Sequence, residues 1–410
     1  MPDSGNDKPR LRLVEAIPTT VQGHRAVALR DPEGYTDRTA VLAEKTVEII
    51  RLFDGTRTLL DIQAEYTRRH GDILFTEDLE RLVGQLDEAG FLDNERFRAI
   101  REEAEREWRD SDLRRAIHLG GAEGGREEWE RWTDGLLGSA GEPEQAAPEG
   151  GIRAVIAPHI DLRLGGGVYG AAWNAAAAKG EAPALAVILG TCHRSLPSLA
   201  AATLKDFETP LGVVPTDRDF IHALNDSAGG WLLADEPAHR TEHTVEFQCL
   251  FVKRLFGEAE TRIAPILCSY EPDHLGGEGP EETRGRIERL GGALREAIDA
   301  AEGNVLVVAS ADLSHVGPRY GHDRAPTEAE LADLELRDRK LLAPALGGDP
   351  AAFADVFAAG LNSTNVCGFA PIHLALLALG EGAKGTLLRY DRATMGDEGS
   401  VVTFAAGVFV

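Results

Sequence analysis

The sequence predicts an α/β protein, a parallel-rich sheet flanked by helices, with a small helical module in front of it. Three observations carry that prediction. From Ile152 onward, short apolar runs alternate with helical stretches. Those runs are continuous rather than alternating, as in strands buried on both faces. Three of them also end in histidine or aspartate, and parallel sheets bind their ligands at the carboxyl ends of their strands.

Length and composition set the frame. The chain has 410 residues, of which 43% are hydrophobic and 27% charged. Two domains are expected at that length, and the apolar fraction excludes disorder for most of it. The formal charge of −25 repels phosphate, so nucleic acid and an anionic membrane surface are not expected partners. No apolar run is long enough to span a membrane, and the N-terminus lacks the apolar core of a secretory signal. The expected location is the cytoplasm. Cys192, Cys249, Cys268 and Cys367 are widely spaced with no CxxC pair, so they are read as free thiols or metal ligands.

Along the chain, residues 1–37 read as a polar tail with at most one strand. Residues 38–97 read as a module of three short helices. Val41, Leu42, Val47, Ile50, Leu52 and Phe53 form the first stripe. Thr58 caps the second helix with Asp61 three residues on, and Thr76 opens the third, which Gly90 stops. Phe91-Leu92 begins a short strand. Three helices and a strand predict a winged-helix module. Between Arg38 and Asp93 there are seven basic and twelve acidic residues, whereas a DNA reader needs a basic face. Peptide or protein docking is the expected use, with a plain structural appendage as the alternative. Residues 98–151 are expected to be a helical connection with Trp129 and Trp132 packed inward, closing in a low-complexity linker at 138–151. The α/β domain then occupies 152–410. Its strands are expected at 154–157, 185–189, 263–267, 305–309, 386–390 and 401–408.

The polar residues at the strand ends define the candidate site. The first run ends in Ala157-Pro158-His159, the second in Gly190-Thr191-Cys192-His193, and the fourth in Ser310-Ala311-Asp312-Leu313-Ser314-His315. His243 and Glu246 are spaced i, i+3, which places them on one helix face. Cys367 sits between Asn365 and Pro371, ahead of an apolar helix. Any one of these histidines alone reads as a surface or core residue, and Cys367 alone as an inert buried thiol. Together, imidazoles and a thiolate with a neighbouring acid and base suit a mononuclear metal site. Motifs for dinucleotide binding, the P-loop, zinc peptidases and serine hydrolases do not occur.

From about Arg115 to the C-terminus the chain resembles the Memo family, whose bacterial and archaeal members are called AmmeMemoRadiSam system protein B. The likeness rests on the segments just quoted. It rests also on Thr209-Pro210-Leu211-Gly212-Val213-Val214-Pro215-Thr216-Asp217, Ala238-His239-Arg240-Thr241-Glu242-His243-Thr244-Val245-Glu246-Phe247-Gln248, Cys367-Gly368 and Val402-Thr403-Phe404-Ala405-Ala406-Gly407. The resemblance implies a fold like the class III extradiol ring-cleaving dioxygenases. It implies metal ligands at His159, His193 and Cys367, with Asp312 and His315 as the neighbouring catalytic pair. A cysteine stands where those dioxygenases carry a carboxylate, which softens the site toward Fe(II), Cu or Zn. Ile160, Asp161, Leu162 and Arg163 replace the family's usual run after the first ligand, so Asp161 and Arg163 are expected at the pocket mouth. The front module resembles the PqqD-like peptide chaperones, and it is expected as a departure from the common family pattern.

These readings converge on a non-haem oxidoreductase acting on a small molecule or peptide, with one divalent ion, Fe(II) before Cu or Zn. His315 is its acid–base group and Asp312 orients it. Radical SAM and AMMECR-type proteins are the partners the resemblance implies. Two alternatives stand beside it: a metal-binding adaptor without turnover, and a hydrolase using Cys192 or Cys367 as nucleophile with His193 or His315 as base.

Overall fold

The computed structural model describes residues 7–120, 124–148, 150–178, 181–275, 281–358 and 361–410. The first six residues of the expected tail and Glu149 of the expected linker lie outside them. The chain forms two compact units, Met1–Asp110 and Ser111–Val410. Among the described residues no helix is long and apolar enough to cross a membrane.

In the first unit, the segment expected as a tail supplies most of a sheet. Strands Glu15–Val21 and His24–Arg30 pair antiparallel through the two-residue turn Gln22-Gly23. Both turn residues have positive φ, 51° and 81°, the geometry that matches strand twist in a tight hairpin. Ala40–Ala43 adds a third strand on His24–Arg30, where a helical stripe was expected to begin. The helix there is confined to Glu44–Ile50. Thr58 and Asp61 form the expected capping box of Leu59–His70, and Thr76–Glu88 follows. Leu29, Ile50, Phe53, Ile62, Leu79, Leu86 and Phe91 close a separate core. Arg12 is buried against Asp31 and lies 3.5 Å over the Phe97 ring. Helix Glu95–Asp110 belongs to this unit, so the boundary falls at residue 110 rather than 97.

The second unit is built on an eight-stranded mixed sheet. Its strands are β1 (Ala154–Ala157), β2 (Leu185–Thr191), β3 (Ala200–Ala202), β4 (Arg262–Cys268), β5 (Val305–Ser310), β6 (Asp312–Val316), β7 (Gly385–Met395) and β8 (Ser400–Phe409). The order is β6-β8-β1-β5-β2-β4-β3, with β7 on β8. The four central strands β1, β5, β2 and β4 are parallel, and β8 joins them antiparallel. The helices that matter for the site are α1 (Leu162–Ala178), α2 (Thr244–Phe256), α3 (Glu281–Ala300), α4 (Glu328–Leu346) and α5 (Phe369–Leu379).

Successive side chains of a strand point to opposite faces, and both faces here are covered. Ala154, Ile156, Val187 and Leu189 meet Leu290, Leu341 and Phe369 of α3, α4 and α5. Val155, Ala157, Ala186 and Ile188 meet Val168 and Trp173 of α1 and Leu250 and Phe251 of α2. That double covering is why the runs are apolar without alternation. Trp129 is buried and Trp132 half-buried beside it, as expected. The segment 139–148 is tied down, because Glu144 accepts from Tyr390 N and pairs with Arg339.

Candidate metal centre

Because β1, β2 and β5 run parallel, their carboxyl ends lie on one edge of the sheet, and each is followed within two residues by a polar group. His159 follows β1. Its backbone N–H donates to Asp312 Oδ1 at 2.9 Å, and its ring Nδ1 is 3.0 Å from the carbonyl of Ser310. A carbonyl can only accept, so Nδ1 carries the proton and Nε2 carries the lone pair. That Nε2 lies 3.3 Å from Cys367 Sγ. His193 follows β2. Its backbone N–H donates to Glu242 Oε2 at 2.9 Å, and Nδ1 is 3.2 Å from both carboxylate oxygens. Cys367 precedes α5, where Gly368 N donates to Asp312 O at 3.0 Å.

One ligand atom from each of His159, His193 and Cys367 lies within 4.8 Å of the other two. Ligands about 2.0–2.3 Å from a tetrahedral ion stand about 3.5 Å apart, and the 3.3 Å between His159 Nε2 and Cys367 Sγ fits that edge. Both imidazoles also have the outer hydrogen bond that orients a metal-binding histidine. The donor set therefore fits a divalent ion. The His159 side chain is 2% exposed and that of His193 41%, so the cluster is closed on one side and open on the other.

A web of buried hydroxyls and amides fixes these strand ends. Thr244 Oγ1 donates to Thr191 O, and Gln248 Nε2 donates to Pro158 O and Ser310 Oγ. Two glycines permit the close approach. A Cβ on Gly190 would stand 2.5 Å from Thr244 Oγ1, and one on Gly368 would stand 2.4 Å from Asp312 O.

Burial shapes the charges. It holds the His159 imidazole well below its ordinary value, helped by the nearby His193 and His243. Burial also pushes the Asp312 carboxyl up to about 6 and the His315 imidazole down to about 4. Burial opposes ionisation of Glu242, yet His193 and His243 outweigh it and hold its carboxyl well below the usual range. Desolvation works against a charged His193 too, but the Glu242 charge prevails and raises it. The Cys367 thiol is raised by burial, with the His193 contact opposing. Cys192 is pushed up to about 12 by burial, and burial also raises Cys249 and Cys268, so those thiols are poor nucleophiles.

Several expected placements change. The Asp312–His315 hydrogen bond does not form. Asp312 serves His159, while His315 Nδ1 turns to Leu313 O at 3.0 Å and its ring meets Tyr320. An irregularity in β6 lies between the two residues, so that Asp312 pairs with Phe404 and His315 with Val402, and each side chain is taken up by a different backbone partner rather than by the other. Glu246 is not at the pocket with His243. Its side chain is fully buried, ion-paired with Arg114, and accepts from the backbone N–H groups of Ile117, His118 and Leu119. His243 is the N-cap of the helix that begins at Thr244 and has helical backbone angles, but Glu246 is drawn inward by Arg114 and the 117–119 amides rather than toward His243. Asp161 and Arg163 bond to each other at the start of α1, and the hydrogen bonds of His159, His193 and Cys367 described above do not involve them.

Three neighbours escaped the sequence reading. Glu242 holds His193 and also lies 3.0 Å from His243 Nδ1. Arg114, expected in a solvated connection, is buried on the short strand Leu113–Arg114. His118 approaches the His243 ring at 5.6 Å. The signal for Glu242 was present as the Thr241-Glu242-His243 adjacency, and the i, i+3 rule gave its weight to Glu246 instead.

A sheet with a parallel centre, carrying two imidazoles and a thiol at its strand ends, defines an α/β protein with a candidate metal centre. The model of the Memo-like protein family matches residues 137–408, and the chain belongs to that family. It is 33% identical over 335 residues to a MEMO1 family protein of Thermus thermophilus, covering 82% of this chain and 93% of that protein. It is 28% identical over 333 residues to a MEMO1 family protein of Aquifex aeolicus, covering 80% and 82%. Both alignments are longer than the second unit, which spans 111–410. These relatives therefore share part of the first unit, and that unit is not wholly a departure from the family.

Proposed function

We propose that this chain is a metal-dependent oxidoreductase acting on a small molecule or a peptide. His159, His193 and Cys367 hold one divalent ion, Fe(II) in the first place, with Cu or Zn as the competing choices. The observation that carries this is the convergence of three ligand atoms within 4.8 Å, with each imidazole already oriented through its other nitrogen. A bound ion supplies redox or Lewis-acid chemistry. The protein supplies the rest. Asp312 fixes the His159 backbone, and neutral His315, with Nδ1 occupied by Leu313 O, keeps a lone pair on Nε2 to accept a proton. The likeness to class III extradiol dioxygenases is consistent with this use. Anaerobic titration with Fe(II), Cu(I) and Zn(II), followed by dioxygen uptake, tests it. About one ion per chain is expected. Unchanged affinity in His159→Ala and His193→Ala would remove the site.

The first unit is proposed to be a PqqD-like winged-helix module that docks a peptide or a partner such as a radical SAM or AMMECR-type protein. Strand Ala40–Ala43 pairs only with His24–Arg30 among the described strands. A cavity of about 380 Å³ lies between it and Leu82, Gln85 and Leu86 of the helix Thr76–Glu88. An open strand edge beside a groove suits strand addition by a peptide. A pull-down set against a DNA-shift assay decides it, and salt-sensitive DNA binding without a protein partner overturns it.

A further inference from the structure

The buried acid at the centre makes more contacts than one ligand requires. Glu242 is only 6% exposed at its side chain. Its Oε1 accepts from His243 N at 2.8 Å and lies 3.0 Å from His243 Nδ1 and 3.2 Å from His193 Nδ1. Its Oε2 accepts from His193 N at 2.9 Å and lies 3.2 Å from the same Nδ1. Its own carbonyl is held by Arg114 at 2.8 Å. The His193 and His243 rings stack at 5.1 Å with 11° between their planes, and His159 stands nearly perpendicular to both.

Both carboxylate oxygens accept from backbone N–H groups, Oε1 from His243 and Oε2 from His193, so the ring Nδ1 atoms that face the same two oxygens are placed as donors. We propose that Glu242 is the positioning residue of the centre, one carboxylate orienting two imidazoles. Through Nδ1–H it turns His193 Nε2 toward the other ligands. It holds His243 parallel beside that ring but outside the ligand set, with Nε2 open to a polar group of the substrate. His243 is 28% exposed and lies outside the group formed by His159, His193 and Cys367; it forms a second group with His193 and Glu242, whose ligand atoms also lie within 4.8 Å of one another, and with its Nδ1 turned to Glu242 its role here is that of a substrate contact. The inference rests on the metal-binding reading for the role of His193, whereas the two hydrogen bonds stand without it.

The test uses the full chain with ¹⁵N-labelled histidine. In the metal-free protein, the imidazole spectrum should show two slowly exchanging, downfield Nδ1–H protons, from His193 and His243. Glu242→Gln should lose at least one, because an amide offers one acceptor oxygen where the carboxylate offers two. Zinc affinity, measured by competition with a chromophoric chelator, should fall about 10–100-fold, the usual effect of removing an outer-shell partner. Glu246→Gln, equally buried and four residues away, should lower stability yet keep both protons and wild-type affinity in the folded protein. Persistence of both protons in Glu242→Gln overturns the proposal, and so does wild-type zinc affinity. Should that variant fail to fold, the wild-type spectrum decides, since absence of either proton is fatal. If the wild-type protein takes up no metal, the metal reading fails while the two protons still judge Glu242.

Discussion

The histidines around the cluster are sorted by what their Nδ1 atoms meet. His159 and His315 face carbonyls, and burial keeps both neutral. His193 faces a carboxylate, which lends it charge in the absence of a metal. Burial lowers His315 to about 4, so near neutrality its ring is uncharged with a free lone pair, although it is a weaker base than an ordinary imidazole. His315→Ala is expected to keep its metal and lose about 10²–10⁴-fold in turnover, whereas Cys367→Ala should weaken the metal itself. Metal content and activity, measured side by side on both variants, separate the roles. If His315→Ala empties the site while Cys367→Ala leaves it full, the assignments are exchanged. The cluster of His159, His193 and Cys367 was legible in the sequence because the two histidines directly follow buried apolar strands and Cys367 directly precedes an apolar helix. Glu242 was not, because a turn residue acquires its role only when two strand ends and a helix N-terminus come together.

At the scale of elements, the site depends on how closely its supports approach. Gly368 admits the backbone of Asp312 where a Cβ would stand 2.4 Å from its oxygen. Gly368→Ala is expected to cost about 1–3 kcal/mol by overpacking and to draw Cys367 away from His159. A denaturation midpoint and a zinc titration on the same preparation would show both losses; wild-type affinity would mean that the Cys367 turn adapts. Arg114 and Glu246 are the other joint, with exposures of 1% and 0%. Removing one partner of a buried pair typically costs about 3–5 kcal/mol, so Arg114→Met should lower the unfolding free energy by that order. A loss no larger than that of a surface arginine would argue against it. The central strands could be read from sequence because both faces are buried. The hairpin Glu15–Val21 and His24–Arg30 could not, since most of its side chains are exposed and leave little apolar pattern.

For the whole molecule, acid is the expected weakness. His239 and His373 are deeply buried, and desolvation lowers both to about 4 from an ordinary 6.5. The unfolded chain binds their protons more readily, so stability is full above about 6.5 and is lost as pH falls toward 4. The combined loss should be on the order of a few kcal/mol. Urea midpoints at pH 7.5, 5.5 and 4.5 would show it, and His239→Gln should flatten the curve if it folds. A flat profile in the wild-type chain would refute the assignment. The two-unit organisation was expected from length, but the joint between the units was misplaced. A highly charged helix, Glu95–Asp110, reads as a connector by composition while its Phe97 and Trp108 are buried.

The grip of Glu246 on the stretch 114–119 bears on how the protein can be cut. A fragment beginning at 137, where the family likeness begins, would leave behind the guanidinium and the three amides that satisfy this carboxylate. Its interior would then hold an orphan anion directly beneath the loop bearing Glu242 and His243. A fragment beginning at 111 keeps every one of those partners. The smallest piece able to stand alone is therefore set by one acid's need for company, some twenty-five residues ahead of where homology would place the scissors.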